Sequence, residues 1–390
     1  MKNRHLKVSY DPQIFTMQKY GGVSRYFSEL AHELSKEKCI SVKVVAPLSR
    51  SEYLKKLNGM LTYGSFFPYY EYLNGNKYSR LIQLLLRVTS LFLADLYLRV
   101  TKSQLIHETY FLPFGLGPKD SIRILTIYDM IHEKFPQEAQ AADRTSQYKA
   151  LAAKRADHII CISESTRKDA IEILGLDPSK VSVVYLGFNT FPCDENNLKQ
   201  TEDLKKKLPY LLYVGQRDGY KNFKNLLLAY ASSKKLQDNF NIVCFGGGAF
   251  TNNELLFFDQ NELKKDSIVH CDGDDEQLGY FFKNATAFIY PSLYEGFGIP
   301  PLEAMENGCP VVCSNSSSIP EVVGNAGEYF DPNSINDMQL AIERVAFSEE
   351  IRQGLISRGN IRKENFSWKK CADETLKIYR SVSEKVNKVH

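Results

Sequence analysis

The chain has 390 residues, 43% hydrophobic and 24% charged, and its 49 basic residues against 46 acidic ones leave a formal charge of +3. It is too apolar for a disordered polymer, shows no Gly-X-Y or heptad monotony, and carries no global charge that would call for nucleic acid. The length fits two or three domains, each able to bury its own core.

The chain starts with Met1 to Lys7, which lack the apolar stretch of a signal peptide. The eight cysteines form no Cys-x-x-Cys pair, and several sit in apolar runs, as Cys244 does in Asn241–Phe245. A reducing cytoplasm is the expected compartment. Short apolar runs then alternate with helical patterns, as parallel βαβ units do. In the first half, strands are expected at Ser41–Ala46, Leu105–His107, Ile122–Ile127, His158–Ile162 and Val181–Tyr185. In the second half they are expected at Tyr210–Val214, Ile242–Phe245, Ser267–His270, Ala287–Tyr290 and Pro310–Cys313. Helices fall between them, for example Thr166–Leu174 and Asn222–Ser232, and the tail Trp368–His390 reads as one amphipathic helix. The polar stretch Asn189–Lys207 is expected to link two domains, 1–188 and 208–366, with the helix over 367–390 returning to the first. The expected fold class is α/β, two doubly wound Rossmann-like domains facing each other across a cleft, with ligands at the carboxyl ends of the strands.

One segment departs from this rhythm. Tyr63–Tyr78 holds seven aromatics in sixteen positions, and a long apolar helix is expected over Lys77–Lys102. Its longest charge-free run, Val88–Ala94, is too short to span a bilayer. Arg80, Gln83, Arg87 and Ser90 share one helical stripe, and the other faces are Leu, Ile, Val and Phe. Two readings follow, a buried core helix or a helix lying on a membrane surface, the latter favoured by five Lys/Arg (Lys77, Arg80, Arg87, Arg99, Lys102) against Asp95 alone.

The strongest chemical signal is Tyr290-Pro291-Ser292-Leu293-Tyr294-Glu295-Gly296-Phe297-Gly298-Ile299-Pro300-Pro301-Leu302-Glu303. It follows an expected strand and opens a helix at paired prolines, where missing N–H groups have no helical partner to lose. Gly296 and Gly298 let backbone approach a ligand closely, and the exposed amides at a helix start favour an anion. Glu295 and Glu303 then stand at either end of one loop, placed to grip hydroxyls on two parts of a ligand. A purely structural alternative has Glu303 complementing the helix dipole.

This segment resembles the Glu-x7-Glu motif of the family 4 retaining glycosyltransferases, whose fold is GT-B. The resemblance continues in order through Gly21-Gly22-Val23-Ser24-Arg25-Tyr26, His158 to Ser165, Tyr213-Val214-Gly215 with Lys221-Asn222, and Ser318 to Gly324 with Asp331-Pro332. It implies that Glu303 holds the ribose hydroxyls of a nucleotide and that Glu295 contacts the donor sugar and steadies developing oxocarbenium charge. It further implies that the amides of Gly296, Phe297, Gly298 and Ile299 orient the sugar, and that Gly22, preceded by Gly21, touches a diphosphate. Relatives commonly have Arg or Thr directly after the glycine that here is Gly215, whereas this chain has Gln216 and then Arg217. Without a metal the diphosphate needs cations, and Arg217 and Lys221 are the candidates.

In the first domain, Asp129 matches the family's His-Asp pair while Tyr128 replaces the His. Asp129 is expected to bind a hydroxyl or take the acceptor proton, with His132 and Glu133 as neighbours that can serve. His107, in His107-Glu108-Thr109-Tyr110 at another strand end, is expected on the acceptor side. Asp272-Gly273-Asp274 has the Asp-x-Asp spacing of a metal site but reads instead as an N-cap for a helix over Glu276–Asn284, so no metal site is expected.

The implied activity is a retaining, metal-independent hexosyltransferase that uses no cofactor. It would move a sugar, mannose first, from a GDP- or UDP-sugar to a hydroxyl of a glycan or lipid-linked saccharide in polysaccharide assembly. The implied partners are the nucleotide sugar, that acceptor and a membrane face touched through 63–102, with no nucleic acid. Another GT-B enzyme, such as an epimerase or a phosphorylase, and a non-catalytic nucleotide-sugar-binding subunit are the rivals. The latter should have lost Glu295 or Lys221.

Overall fold

The computed structural model describes residues 5–57, 59–67, 79–138, 143–191, 209–217 and 219–389. The chain divides into two compact units, Met1–Gly187 together with Ser367–His390, and Phe188–Phe366. Most of the expected linker, from residue 192 on, lies outside the described residues, as do residues 68–78 of the aromatic segment.

The first unit is built on a seven-stranded sheet. Its strands are β1 (Leu6–Tyr10), β2 (Ile40–Ser49), β3 (Thr62–Phe66), β4 (Leu105–Glu108), β5 (Ile122–Ile127), β6 (His158–Cys161) and β7 (Val181–Val183), in the order β3-β2-β1-β4-β5-β6-β7. All pairings are parallel. The strands β4, β5 and β6 are buried along their whole length, as in a sheet covered on both faces, and their polar members His107, Glu108, Arg123 and Thr126 are buried with partners inside the protein. Two strands escaped the sequence reading. In β1, Lys7 interrupts the apolar run, and β3 carries Gly64 at φ +105° beside a register shift in β2.

The Gly22–Leu34 helix packs against the Trp368–Val389 helix, so the end of the chain belongs to the first unit. The apolar faces that meet include Tyr26, Phe27 and Leu30 on one side and Cys371, Leu376 and Tyr379 on the other, all buried. The Ser79–Thr101 helix lies against β2 through Ala94 and Leu98, both with no exposed surface. Ser90 is also buried and accepts the Leu48 N–H at 3.3 Å. Ser90, at the end of the expected polar stripe, therefore faces the sheet. Leu81, Leu84, Leu85, Val88, Phe92, Leu96 and Val100 form the opposite side, each more than half exposed. The helix is neither of the two expected kinds in full: one face is core, and the other is an exposed apolar stripe.

The second unit has six parallel strands in the order β10-β9-β8-β11-β12-β13. They are β8 (Tyr210–Val214), β9 (Asn241–Phe245), β10 (Ile268–Cys271), β11 (Ala287–Tyr290), β12 (Val311–Ser314) and β13 (Gly327–Phe330). The edge strand β13 was not anticipated, since Gly-Glu-Tyr-Phe has neither alternation nor an apolar run. In both sheets the order reverses once, between β1 and β4 and between β8 and β11. Ligands of doubly wound sheets sit at this switch point, outside the carboxyl ends of the strands.

Candidate active site

The two loops that flank the second sheet's switch point are those singled out from sequence. After β8 the chain turns at Gly215, φ +116°, and enters a short 3-10 turn at Gly219–Lys221. After β11 it runs through Pro291 to Gly298, φ +119°, into the Ile299–Glu306 helix, which begins with prolines in its first turn. Lys221 and Glu295 meet here: Lys221 Nζ donates to Glu295 Oε1 at 2.7 Å, and Ser292 Oγ donates to the same oxygen at 2.6 Å. Glu295 is 8% exposed and Glu303 5%, so both carboxylates sit in a largely water-excluded setting. Such a setting strengthens charge interactions with whatever enters.

The loop is braced from several sides. Asn222, in the left-handed region at φ +60°, donates from Nδ2 to the Pro291 carbonyl (3.0 Å) and the Pro332 carbonyl (2.8 Å). The Leu293 N–H donates to the Tyr220 carbonyl at 2.8 Å. Ser318 Oγ donates to the carbonyls of Glu295 and Phe297 at 2.8 and 2.7 Å, and the Glu295 N–H donates to Ser317 Oγ at 2.8 Å. With its carbonyls tied back, the loop's trans peptides turn their N–H groups the other way. The Phe297 ring is buried and meets Phe366 edge-on at 5.8 Å, so the side chain of this residue packs within the unit. The serines that brace Glu295 were missed as site residues: Ser and Thr are common at turns, and only the fold shows which carbonyl each one reaches.

Arg217 requires a correction. Its side chain is 4% exposed and its guanidinium is consumed within the protein. Nε donates to Glu254 Oε1 at 2.6 Å, Nη1 to the Gly246 carbonyl at 3.0 Å, and Nη2 to the carbonyls of Gly248 (2.9 Å) and Ala249 (3.1 Å). The plane lies 4.8 Å from the Phe250 ring. A diphosphate would have to compete with a carboxylate and three carbonyls for it. Burial pushes the Glu254 carboxyl up, but the hydrogen bonds from Arg217 and Thr251 outweigh it and bring its pKa below the ordinary value. Glu254 also closes a capping box with Thr251 at the start of the Asn252–Gln260 helix.

The Asp-x-Asp segment caps a helix. Asp274 accepts the Gln277 N–H at 2.9 Å, and Gln277 Oε1 accepts the Asp274 N–H at 3.0 Å, at the start of the Asp275–Asn284 helix. Among the described residues no three His, Cys, Asp or Glu side chains converge as a metal set.

In the first unit the switch point is laced by Asp11, which is 1% exposed. Its Oδ1 accepts from Thr109 Oγ1 at 2.5 Å and the Thr109 N–H at 3.1 Å, and its Oδ2 accepts from Gln13 Nε2 at 2.5 Å. Burial raises its pKa to about 6 despite these bonds. Of the two glycines, Gly21 is needed by its neighbour. A Cβ there would lie 2.3 Å from Gln18 Oε1, the atom that accepts the Ser24 N–H at 3.2 Å and so caps the helix. At Gly22 a Cβ would meet nothing within 4 Å, so the space beside it is open.

Asp129 is partly buried and accepts the Ile131 N–H at 3.0 Å. Behind it Lys149, 1% exposed, donates to the Asp129 carbonyl at 2.9 Å and to Glu133 Oε2 at 2.7 Å. Glu133 is thus the partner of a buried lysine, and His132 pairs with Asp143 at 3.2 Å. His107 also needs correcting. It has no exposed surface, its Nδ1 is 2.6 Å from the Tyr379 hydroxyl and its Nε2 is 2.8 Å from the Thr126 hydroxyl. Burial alone lowers its pKa to about 3, so it is a neutral core residue and lines no acceptor site. Glu108 beside it is held by Arg123 and Arg155 in a buried ion cluster.

Comparison with known proteins agrees with this geometry. Residues 20–190 match the family model described as Glycosyltransferase Family 4, and residues 194–362 match the one described as Glycosyl transferases group 1. O-antigen chain mannosyltransferase B of Escherichia coli is 35% identical over 173 residues, 44% of this chain and 45% of that protein. O-antigen chain mannosyltransferase RfbU of Salmonella typhimurium is 27% identical over 199 residues, 50% of this chain and 52% of that protein. The matched stretches thus span about half the length of these curated relatives. Among solved structures, the sucrose-phosphate synthase of Thermosynechococcus elongatus shares the fold with a TM-score of 0.71 at 19% identity, covering 97% of this chain and 99% of that one. With one family model on each unit and the fold matched along nearly the whole chain, this protein belongs to glycosyltransferase family 4 and has the GT-B fold.

Proposed function

We propose that this chain transfers a hexose, mannose in the first instance, from a nucleoside diphosphate sugar to a hydroxyl of a glycan or lipid-linked saccharide during polysaccharide assembly. The observation that carries this reading is the Lys221–Glu295 pair at the second sheet's switch point, set between a glycine turn and a proline-opened helix. An ammonium beside a carboxylate suits a ligand that presents both a diphosphate and sugar hydroxyls. Lys221 meets the phosphate charge, and it does so increasingly as the sugar bond breaks and negative charge gathers on the leaving group. Glu295 accepts from the sugar's hydroxyls and opposes the positive charge on the ring, while Glu303 takes the ribose hydroxyls. The amides of Gly296 to Ile299 orient the sugar. The acceptor is assigned to the first unit, through Asp129, while the Gly22 amide of the same unit reaches the diphosphate.

In this reading the reaction retains configuration, the acceptor attacks from the face the diphosphate leaves, and the departing phosphate oxygen takes the acceptor's proton. Lys221 and backbone amides meet the diphosphate charge, so no divalent metal or other cofactor is required. Mannose follows from the two O-antigen mannosyltransferases that the chain resembles. The compartment is the cytoplasm, and the exposed stripe of the Ser79–Thr101 helix rests on an anionic membrane face beside a lipid-linked acceptor.

The test is donor binding followed by turnover. GDP, UDP, GDP-mannose and UDP-glucose are screened by thermal shift, since a ligand of the folded state raises Tm by mass action. Transfer from the stabilising donor is then measured with and without EDTA. Glu295→Ala is expected to bind the nucleotide but to lose about 10²–10³-fold in kcat, as removal of one charge-stabilising group does. Turnover of Glu295→Ala within a few-fold of wild type would refute the site, and loss in EDTA restored by manganese would refute metal independence.

A further inference from the structure

Arg217 is an unusual use of a cation at a candidate phosphate site. All three of its nitrogens donate within the protein, to the Glu254 carboxylate and to three carbonyls, those of Gly246, Gly248 and Ala249, which belong to one turn. That turn, Gly246-Gly247-Gly248, has φ values of +79°, +76° and +75°, a run in the left-handed region that residues with side chains adopt only at a cost. It leaves the carboxyl end of β9, whose neighbour β8 is followed by Gly215, the glycine that leads to Lys221. The two turns touch, since a Cβ on Gly247 would lie 2.6 Å from the Gly215 carbonyl oxygen and 2.9 Å from Arg217 Nη1.

No peptide bond among the described residues is cis, and a trans peptide points its carbonyl and its N–H in opposite directions. Drawing the carbonyls of Gly246, Gly248 and Ala249 onto the guanidinium therefore turns the N–H groups of Gly247, Ala249 and Phe250 away from it. Gly247, Gly248 and Ala249 are exposed. The turn thus has an inner rim of carbonyls held by Arg217 and an outer rim of amides available to a ligand.

We infer that Arg217 is a positioning residue for the donor. Clamped by Glu254, its guanidinium fixes the Gly246–Ala249 turn so that the turn's amides face the donor nucleotide, and it touches no phosphate itself. This rests on the nucleotide-sugar reading above. Glu254 belongs to the same device, because its second oxygen holds Thr251 at the head of the next helix and so ties the turn to a rigid element.

The decisive variant is Glu254→Gln. If Arg217 were a phosphate ligand, weakening its competing carboxylate would leave donor binding unchanged or improve it. If it is a clamp, donor binding weakens. The expected result is a rise of about tenfold in donor KM and in the Kd of the stabilising nucleotide, GDP or UDP, with kcat within about threefold. Arg217→Lys is expected to behave like Arg217→Gln, because an ammonium keeps the charge but has no fork. Gly247→Ala, which pushes on the turn without altering any charge, should give the same KM shift and carries the test if Glu254→Gln fails to fold by circular dichroism. Wild-type KM and Kd in Glu254→Gln or Gly247→Ala, or full rescue by Arg217→Lys, would overturn the clamp alone. A wild type that binds neither GDP nor UDP would overturn the nucleotide-sugar reading together with the clamp.

Discussion

At the scale of single residues, the Lys221–Glu295 pair serves structure and chemistry at once, and the two contributions are separable. Lys221→Met leaves a carboxylate with 8% exposure that keeps its hydroxyl partners Ser292 and Tyr290 but has lost its cation. Such a half-broken pair costs about 1–3 kcal/mol. Glu295→Gln removes the charge that then lacks its cation. We expect Lys221→Met to lower Tm and turnover together, and the Lys221→Met/Glu295→Gln double variant to regain much of the Tm but none of the turnover. A double-mutant cycle in stability and in kcat/KM reads this directly. Equal recovery of both would mean that the pair is only scaffolding. The contrast with Arg217 is instructive. Both cations follow the same glycine within a few residues, and charge and spacing alone favour neither. What separates them is that Glu254 and the carbonyls of Gly246, Gly248 and Ala249 surround one, while Glu295 meets the other.

At the scale of elements, the Ser79–Thr101 helix makes the clearest claim. The charge-free run alone is too short to span a bilayer, but taken over its whole length Leu81–Thr101 is long and apolar enough to cross one, contrary to the expectation from that run. Its Ser90, Ala94 and Leu98 are nonetheless packed into the first unit. Asp95 is engaged as well, accepting from Arg99 Nε at 2.7 Å and from the Gly117 N–H at 2.7 Å. A helix anchored in this way presents a face instead of inserting end-on. Seven large apolar side chains more than half exposed on one helix face form a patch larger than solubility favours. Leu85→Ser/Phe92→Ser/Leu96→Ser is expected to leave Tm within about 2 °C of wild type, because exposed positions contribute little to stability. The same variant should abolish co-sedimentation with vesicles that contain anionic lipid. Leu98→Ala, on the packed face, should instead cost about 2–5 kcal/mol. If wild type stays in the supernatant at low salt, the stripe does not meet lipid.

At the scale of the molecule, His107 ties distant parts of the chain together. It sits on β4, bonds Thr126 on β5, and bonds Tyr379 on the last helix, 272 residues away. Its pKa of about 3, against an ordinary 6.5, means that between these values the unfolded chain holds a proton the folded chain does not. Stability is therefore complete above pH 6.5 and is lost as pH falls toward 3. The slope is up to about 1.4 kcal/mol per pH unit for each such group. His158, lowered by burial to about 4, adds a second contribution over a narrower window. His107→Gln, whose amide can keep both hydroxyl partners, should flatten the fall of Tm between pH 6.5 and 4 without removing it. An unchanged slope would show that other groups set the acid limit.

What the sequence determined by itself was whatever local chemistry compels. Strands buried on both faces are dominated by apolar residues, so β4, β5, β6, β8, β9 and β11 were legible even where they carry a buried polar residue such as His107 or Arg123. A tight turn into a helix beside two carboxylates needs glycine and proline in that order, so the Glu295–Glu303 loop was legible too. The capping aspartate Asp274 belongs in the same group, because its partner lies within one turn. Only the tertiary structure decided the rest, and in each case the deciding partner is far along the chain. Arg217 is taken by Glu254, 37 residues on, His107 by Tyr379, and Glu295 by Ser317 and Ser318, which approach it from the loop after β12. A side chain's type says what it is able to bond. Which of those bonds it makes depends on which strands the sheet places side by side, and that is a property of the whole fold.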